Sequence, residues 1–352
     1  MDEKMLAVKL YGKNDIRIVE CDVPQIGADE ILVKTSAAAI CGSDLRMIEN
    51  GYHGVDETHP IILGHEMCGV IAKTGKNVTE YRTGDRVAIA PNMGCGHCKN
   101  CLEGDFHLCG TYQAMGINMD GGFAQYIRIP KKALRQGNVI LLEDNVSAEE
   151  AAVFEPAACV LNGQEQIGIQ EGEDVLIIGA GPIGILHGLL ARLHGAGRIF
   201  LSDLSRVRVK KCIELMPDII PLNPENLEQD VMEKTEGKGV DVCITACAAK
   251  AVQEASFGLM NMKGRILFFG GLPNGKDLIQ IHSNLLHYKE LKVCGSTRCN
   301  AQQCRKIASL VREGKLDLKG LISKKFEIRD FKEAADYAAS GQGLKTVILF
   351  ED

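Results

Sequence analysis

The sequence lacks the features that mark a membrane protein, an exported protein or a nucleic-acid-binding protein. No stretch of its 352 residues approaches the uninterrupted apolar length of a membrane span. The N-terminal segment begins with charged residues and contains no apolar core of a signal peptide. The 40 Lys and Arg residues are scattered rather than grouped into blocks. We therefore expect a cytoplasmic protein with no membrane partner and no nucleic-acid partner.

Length and patterning indicate two domains. A chain of 352 residues exceeds the size at which a single core stops growing, and clefts between domains commonly bind ligands. Up to about residue 150 the chain reads as short β segments separated by Gly, Asp and Asn turns. From about residue 170 apolar runs alternate with helix-length segments, which is typical of an α/β doubly wound parallel sheet. The tail after residue 295 is too short for its own core, so we expect it to pack onto an earlier domain.

A glycine motif predicts a dinucleotide site at the start of the parallel-sheet region. The sequence G-x-G-x-x-G directly follows an apolar strand at residues 174–178 and precedes a helix. Its first glycine permits a tight turn, its second lets the backbone approach a pyrophosphate, and its third permits close packing of helix on strand. The residues assigned to cofactor binding are Gly179, Gly181, Pro182, Ile183 and Gly184.

The choice between the two nicotinamide cofactors depends on the next strand, which ends at Asp203. A carboxylate at this point suits the ribose diol of the adenosine and repels a 2′-phosphate, so NAD is favoured over NADP. Arg206 and Arg208 keep NADP as the less favoured alternative. We expect both arginines to line the adenine edge of the cofactor site or to be solvated, and Arg208 is assigned to cofactor binding.

Four of the 14 cysteines cluster in a lobe at residues 91–112, with the spacing C-x2-C-x2-C-x7-C: Cys95, Cys98, Cys101 and Cys109. Closely spaced thiolates can bind one tetrahedral zinc ion, and a shell of four sulfurs leaves no open position for a substrate. This zinc site is therefore predicted to be structural, with an iron–sulfur cluster or four thiols without a metal as the alternatives. His97 and His107 are expected to face solvent rather than bind the metal.

Metal-capable side chains also occur outside this lobe. Cys41 and the adjacent His65 and Glu66 each follow a β-like run, and Glu155 lies in an apolar segment just before the dinucleotide region. A buried carboxylate needs a cation or a proton. One thiolate, one imidazole and one or two carboxylates, with a position left for water or substrate, form the pattern of a catalytic zinc site.

Taken together, these motifs resemble the zinc-dependent medium-chain dehydrogenases, and within them the sorbitol (polyol) and threonine dehydrogenase branch. The resemblance covers essentially the whole chain and rests on Cys41-Gly-Ser-Asp44, Gly64-His-Glu66, the four-cysteine lobe, Glu155-Pro and the glycine motif. It implies a GroES-like β-rich catalytic domain, residues 1–155 and 296–352, around an inserted Rossmann domain, residues 156–295. It also implies a homodimer or a homotetramer.

The resemblance assigns roles to individual residues. The zinc ligands would be Cys41, His65 and Glu66. Glu155 would either bind the zinc directly or hold a zinc-bound water. Asp44 would accept a hydrogen bond from the second ring nitrogen of the zinc-bound imidazole, and Ser43 would pass the substrate proton toward solvent.

Three further positions concern the substrate. Arg298 would contact substrate hydroxyls, with a salt bridge between the domains as the alternative. Arg46 stands where the family commonly has a proton-relaying His, and Met47 where polyol dehydrogenases tend to have an aromatic. Arg cannot relay protons near neutral pH, because its pKa lies above about 12. The relay would then run from Ser43 through cofactor ribose and water, while Arg46 would clamp the cofactor pyrophosphate or a substrate phosphate.

The sequence thus predicts an enzyme that oxidises a secondary alcohol of a polyol-like small molecule to a ketone, with catalytic and structural Zn²⁺ and with NAD as hydride acceptor. A polyol phosphate or L-threonine is the alternative substrate, and Mn²⁺ is the alternative catalytic metal. A non-catalytic zinc- and nucleotide-binding regulator would need a spoiled metal site, whereas here every ligand position is filled.

Overall fold

The computed structural model describes residues 4–350, and the chain divides into two compact units. The first unit comprises the chain up to Ala158 and again from Cys299, and the second comprises Cys159–Arg298. Both boundaries expected from the sequence lie three residues earlier along the chain. No helix in the described part of the chain is long and apolar enough to cross a membrane.

The described residues form eighteen strands, twelve α-helices and four short 3-10 turns. The strands are β1 (Lys4–Gly12), β2 (Asp15–Asp22), β3 (Ile31–Ala39), β4 (Ile61–Ile62), β5 (Glu66–Thr74), β6 (Arg86–Ile89), β7 (Asn92–Met93), β8 (Gln113–Ala114), β9 (Tyr126–Ile129), β10 (Val139–Leu141), β11 (Asp174–Ile178), β12 (Arg198–Ser202), β13 (Ile220–Leu222), β14 (Val240–Thr245), β15 (Met260–Phe268), β16 (Lys292–Gly295), β17 (Ile322–Glu327) and β18 (Lys345–Leu349). The helices are α1 (Gly42–Asn50), α2 (Lys99–Leu102), α3 (Lys131–Arg135), α4 (Ala148–Ala151), α5 (Phe154–Ile167), α6 (Pro182–Leu193), α7 (Arg206–Leu215), α8 (Leu227–Lys234), α9 (Lys250–Ala255), α10 (Ser283–Tyr288), α11 (Ala301–Arg312) and α12 (Phe331–Ser340).

The first unit is built on a seven-stranded sheet in the order β10-β6-β5-β3-β18-β17, with β9 also paired to β3. A three-stranded sheet, β2-β1-β4, and a two-stranded sheet, β7-β8, complete it. Because β17 and β18 come from the C-terminal tail, the tail joins the sheet of an earlier domain, as expected. Aliphatic residues of these strands pack with Phe123 and Phe331, whose rings meet edge to face at 4.9 Å, into one core.

The second unit contains a six-stranded sheet in the order β13-β12-β11-β14-β15-β16, and all of its strand pairs are parallel. Counted within the unit, this is the order 3-2-1-4-5-6 of a doubly wound dinucleotide-binding fold. The central strand β11 has four fully or nearly fully buried residues, Val175 to Ile178, as expected for a strand covered on both faces. The predicted doubly wound parallel sheet is therefore confirmed.

Two helices that the sequence reading did not identify carry candidate site residues. Helix α1 begins directly after Cys41, and α5 begins at Phe154, so that Glu155 lies in its first turn. Pro156 argues against a helix interior but is tolerated in a first turn, where backbone N–H groups have no partner within the helix. The starts of α1 and α5 therefore position side chains of the predicted metal site, namely Cys41 and Glu155.

Candidate functional site

The register of three strands brings distant parts of the first unit together. Ala39, at the end of β3, pairs antiparallel with Glu66 of β5 and with Val347 of β18. Cys41 follows Ala39 by two residues, so the same antiparallel register places it beside the start of β5 and opposite Lys345. Side chains from the N-terminal part of the chain and from its tail therefore meet at one end of this sheet.

Three of the predicted metal ligands converge at this point. Cys41, His65 and Glu66 each offer a ligand atom within 4.8 Å of the other two. His65 and Glu66 are buried, and Cys41 is half-buried. A thiolate, an imidazole and a carboxylate at such distances fit a zinc ion with an open fourth position.

Asp44 orients the imidazole of His65. Its carboxylate is fully buried, accepts a hydrogen bond from the Cys41 backbone N–H at 2.9 Å through Oδ2, and places Oδ1 3.4 Å from Nδ1 of His65. The other ring nitrogen, Nε2, lies 3.3 Å from the hydroxyl of Ser43. A carboxylate at one nitrogen fixes the ring and makes the other nitrogen a better ligand.

The charges of this cluster favour a bound cation. Burial alone would lower the pKa of His65, but the negative charges of Asp44 and Cys41 outweigh it and raise that pKa. Burial raises the pKa of Glu66, and the ammonium group of Lys345 opposes this effect from 2.5 Å. Four acidic groups and two basic groups lie together here: Cys41, Asp44, Glu66 and Glu155, with His65 and Lys345. A divalent cation would balance the excess negative charge.

Glu155 stands outside the set of three ligands within 4.8 Å, although its charge raises the pKa of Glu66. Its side chain is 9% exposed, and its Oε1 atom lies 4.0 Å from Sγ of Cys299. The distances favour Glu66 over Glu155 as the direct carboxylate ligand. Glu155 is close enough to influence a ligand of the cation through its charge.

The four cysteines of the lobe form a compact group of sulfur atoms. The Sγ distances are 3.9 Å for Cys95 to Cys101, 3.5 Å for Cys98 to Cys101 and 3.8 Å for Cys98 to Cys109. A tetrahedral zinc with Zn–S bonds of about 2.3 Å requires sulfur–sulfur edges of about 3.8 Å. The lobe therefore fits a single ion, because sulfurs in mutual contact leave no space for a cluster of several metal atoms.

Hydrogen-bond donors around the sulfurs lower the pKa of Cys95 and of Cys109, whereas burial raises the pKa of Cys101 to about 12. The N–H groups of Cys95 and Cys98 donate to Sγ of Cys109 and of Cys95 at 3.2 and 3.3 Å. The Thr111 hydroxyl and the Cys95 backbone N–H lower the pKa of Cys109 to about 6. A side chain at Gly94 would overlap Sγ of Cys101, so this close approach requires glycine.

The expectation that both histidines of the lobe face solvent is wrong for one of them. His97 is exposed, but His107 is only 3% exposed. The segment from Phe106 to Leu108 forms a single 3-10 turn that packs against β7. This turn buries the imidazole although the lobe itself is at the surface.

In the second unit, the glycine motif has the conformations expected of a phosphate-binding turn. Gly179 has a φ of +118°, and a side chain at Gly184 would overlap the carbonyl oxygen of Gly179. Open space surrounds the Cα of Gly181, which is the N-cap of α6, and Pro182 occupies the first position of that helix. Ile183 follows it in the first turn, where backbone N–H groups can bind an anion.

Asp203 follows β12 and is tied to the glycine motif. Its carboxylate accepts hydrogen bonds from the backbone N–H groups of Ala180 and Ser205, both at 2.7 Å. It borders a cavity of about 580 Å³ whose other lining residues include Arg206, Lys210 and Leu222. Of the two arginines expected at the adenine edge, Arg206 lines this cavity, and Arg208 is not among its described lining residues.

Comparison with known proteins identifies the family. The family model of the alcohol dehydrogenase GroES-like domain matches residues 27–138, and that of the zinc-binding dehydrogenases matches residues 182–313. A sorbitol dehydrogenase of Bombyx mori is 33% identical over 99% of both chains. The chain belongs to the zinc-dependent medium-chain dehydrogenases. An L-threonine 3-dehydrogenase of Mesorhizobium japonicum is 34% identical to this dehydrogenase over 97% of both chains.

A solved structure supports the same assignment. A zinc-binding dehydrogenase of Sinorhizobium meliloti bound to NADP superposes on this dehydrogenase with a TM-score of 0.89, at 30% identity, over 99% of this chain and 100% of the other. The predicted family, its polyol and threonine dehydrogenase branch, and the combination of GroES-like and Rossmann folds are confirmed. The dehydrogenase is thus an oxidoreductase of the zinc-dependent alcohol dehydrogenase family that acts on a small molecule with a nucleotide cofactor.

The two arginines expected to contact ligands are both exposed. Arg46 of the dehydrogenase lies on α1, one turn after Ser43, and Met47 beside it is buried. Arg298 has a φ of 57°, and its carbonyl oxygen accepts a hydrogen bond from Asn162 at 3.0 Å. The positive φ fixes the direction in which the Arg298 side chain leaves the backbone, and its role stays a prediction.

The sequence reading missed Lys345 of the dehydrogenase. Its ammonium group is buried, pairs with Glu66 at 2.5 Å and donates to the carbonyl oxygen of Ile40 at 2.9 Å. The signal in the sequence is one lysine at the start of an apolar strand, a position at which a fully buried charge is rare. Only the strand register shows which carboxylate it meets.

Proposed function

We propose that this dehydrogenase oxidises a secondary alcohol of a polyol-like small molecule to a ketone, with NAD as the hydride acceptor. The observation that carries the proposal is the convergence of Cys41, His65 and Glu66 within 4.8 Å, with the Ser43 hydroxyl 3.3 Å from His65. A closed structural zinc site would need no hydroxyl at its edge. Among the relatives, one is named for a polyol and another for the 3-position of threonine.

The first unit supplies the metal ligands and the proton path in this proposal. Cys41, His65 and Glu66 hold the catalytic zinc, and Glu155 holds a water or hydroxyl group beside it. When bound, the zinc lowers the pKa of the substrate hydroxyl as a Lewis acid, and the nicotinamide accepts the hydride. Ser43 accepts the substrate proton and passes it on, because its hydroxyl is both a donor and an acceptor. The four cysteines of the lobe hold a structural zinc.

The second unit supplies the cofactor site in this proposal. The N-terminus of α6, with Gly179, Gly181 and Gly184, binds the pyrophosphate. The Asp203 carboxylate accepts from the ribose hydroxyls and repels a 2′-phosphate. Arg206 and Lys210 line the same cavity and hold the adenine side of the cofactor.

A comparison of three substrate classes tests the choice of substrate. We expect kcat/KM for a polyol such as sorbitol to exceed that for its phosphate ester by at least about tenfold, because Arg46, the cation that would bind the phosphate, is exposed on a helix surface where solvent screens its charge. We also expect the polyol to be turned over faster than L-threonine. NADH absorbance gives the rates. Faster turnover of the phosphate ester, lost in an Arg46→Gln variant, would instead assign a polyol phosphate, and faster turnover of L-threonine would assign the amino acid.

Replacement of Asp203 by Asn tests the cofactor preference. We expect the wild type to prefer NAD, and Asp203→Asn to lower the ratio of kcat/KM for NAD to that for NADP by about tenfold, because the charge that repels the 2′-phosphate is lost. The Asn side chain keeps one acceptor oxygen, so it can accept from one of the two backbone N–H groups that the carboxylate binds. Glu214→Gln removes a carboxylate from the same cavity and serves as the control, with an unchanged ratio. An unchanged ratio in Asp203→Asn would contradict the role of Asp203.

We also propose that the dehydrogenase forms a homodimer or a homotetramer. The edge strand β16 of the second unit exposes Val293, and Leu278, Ile281 and Tyr288 of the same unit are also exposed. An unpaired strand edge with exposed apolar residues favours pairing with a second copy. Light scattering should give two or four times the chain mass of 38.2 kDa, and a value equal to one chain would contradict this proposal.

A further inference from the structure

Two cysteine side chains lie in contact in the first unit, outside the four-cysteine lobe and outside the zinc-ligand set. The Sγ atoms of Cys299 and Cys304 are 3.6 Å apart, and the two residues are 1% and 2% exposed. This separation is the contact distance of two sulfur atoms. The pair lies where the chain returns to the first unit after Arg298.

The start of α11 holds the two thiols in this arrangement. Asn300 is the N-cap of the helix, and its side chain and that of Gln303 exchange hydrogen bonds with each other's backbone N–H groups, both at 2.9 Å. Cys299 precedes the N-cap, and Cys304 is the fourth residue of the helix. Residues at these two positions commonly pack against each other as an apolar staple. The capping box thus keeps both sulfurs side by side.

The pair also contacts Glu155. Sγ of Cys299 lies 4.0 Å from Oε1 of Glu155 and 3.8 Å from its carbonyl oxygen, so the S–H group can donate to either atom. The Asn92 side chain donates to the carbonyl oxygen of Cys299 at 2.8 Å and holds its backbone in place. A movement of the Cys299 sulfur would therefore come from rotation of its side chain, away from Glu155.

We propose that Cys299 and Cys304 are a redox-active dithiol that a peroxide oxidises to a disulfide. This oxidation removes a hydrogen-bond donor from Glu155. One thiol loses its proton, and the resulting thiolate attacks an oxygen atom of the peroxide. The O–O bond breaks, the cysteine becomes a sulfenic acid and hydroxide is released. The hydroxide takes up the proton that the thiol lost and leaves as water. The second thiol attacks the sulfenic sulfur, and a second water leaves. Two thiols lose two electrons and two protons, and the peroxide is reduced to two waters. The sulfurs move from 3.6 Å to about 2.05 Å.

Disulfide formation removes the S–H donor from Glu155 and turns the Cys299 sulfur toward α11. Cys299 and Cys304 act here as positioning residues, since neither belongs to the proposed ligand set of Cys41, His65 and Glu66. We expect oxidation to lower kcat by about tenfold, with less than about a twofold change in the KM for NAD. This effect on turnover rests on the proposed function, whereas the formation of the disulfide does not.

A tryptic peptide provides a direct readout. Cleavage after Arg298 and after Arg305 releases residues 299–305, which contain both cysteines and no other. The zinc-loaded enzyme is treated with hydrogen peroxide, and its remaining thiols are alkylated. The protein is then digested with trypsin, and the peptide masses are measured by mass spectrometry. We expect this peptide to lose two hydrogen atoms and to escape alkylation, to regain both thiols with dithiothreitol, and to change before any zinc is released.

Variants connect the disulfide to activity. Before oxidation, Cys304→Ala should be as active as the reduced wild type, and mild peroxide should no longer inactivate it. Cys304→Val is the larger replacement if the alanine variant unfolds. Cys212→Ala, which removes a buried thiol on α7, serves as the control and should be inactivated like the wild type. The proposal is overturned if the peptide is alkylated at both cysteines in inactivated enzyme, if inactivation follows zinc release, or if Cys304→Ala is inactivated at the wild-type rate. A disulfide that forms in an enzyme without turnover on any alcohol would contradict the proposed function and support the dithiol.

Discussion

Cys41→Ser is expected to lower kcat by at least about a thousandfold, while the affinity for NAD changes by less than about twofold. The thiolate is one of three ligands within 4.8 Å, and a serine hydroxyl is a much weaker zinc ligand at neutral pH. The glycine motif and Asp203 belong to the second unit and are untouched by the substitution. Turnover is measured by NADH absorbance, and affinity for NAD by fluorescence titration. Elemental analysis gives the zinc content, which should be one ion per chain lower than in the wild type.

Cys98→Ser is the matched control for this experiment, because it removes a thiolate from the lobe and should also cost one zinc per chain. It should destabilise the protein by several kcal/mol and lower its Tm, since the binding energy of a structural zinc is folding energy. The fraction that stays folded should turn over at a rate within about threefold of the wild type. A Cys41→Ser protein that lacks this zinc and still works normally would refute the catalytic assignment.

Lys345→Met is expected to lower the free energy of unfolding by about 3–5 kcal/mol, because it leaves Glu66 as a buried carboxylate without its ammonium partner. The pair is almost completely shielded from solvent, with side-chain exposures of 5% and 0%. Denaturant unfolding is measured in a Cys41→Ser background, which should lack the catalytic zinc, because a zinc ion bound to Glu66 would compensate the same charge. The double variant Lys345→Met with Glu66→Gln should regain part of the stability, since it removes the uncompensated charge.

The exposed pair of Lys4 and Asp22 provides the comparison. Its side chains are 56% and 82% exposed, so Lys4→Met should change the stability by less than about 1 kcal/mol. If Lys345→Met were as stable as the wild type, the negative charge of Glu66 would have to be compensated by another group. A proton on the Glu66 carboxyl, whose pKa burial raises, would then be the explanation to test.

Features of the site that are local in sequence could be predicted. The glycine motif follows a buried strand directly, and the four cysteines lie within fifteen residues, so spacing alone indicates their chemistry. The histidine at position 107 shows where spacing fails, because a single 3-10 turn decides which way a loop side chain points. Short turns of this kind carry little signal in the sequence.

Features that depend on strand register could not be predicted. Lys345 is 279 residues from Glu66 in the sequence, and their contact requires that β18 pair with β3 and β3 with β5 in one particular register. A shift by one residue would turn each side chain to the opposite face of the sheet. The helix at Glu155 was missed for a different reason, since a proline in the first turn looks like an interruption in a linear reading.

The position of β18 has a consequence for the order of events during synthesis. This strand supplies Lys345 to the buried cluster and pairs with β3, yet the ribosome makes it only after the whole parallel-sheet unit. Until then β3 lacks one of its neighbours, and Glu66 has no ammonium group to meet. The nascent chain must therefore keep an open sheet edge and an uncompensated carboxylate while the nucleotide-binding unit folds, which makes this interval the time at which a chaperone would be needed most.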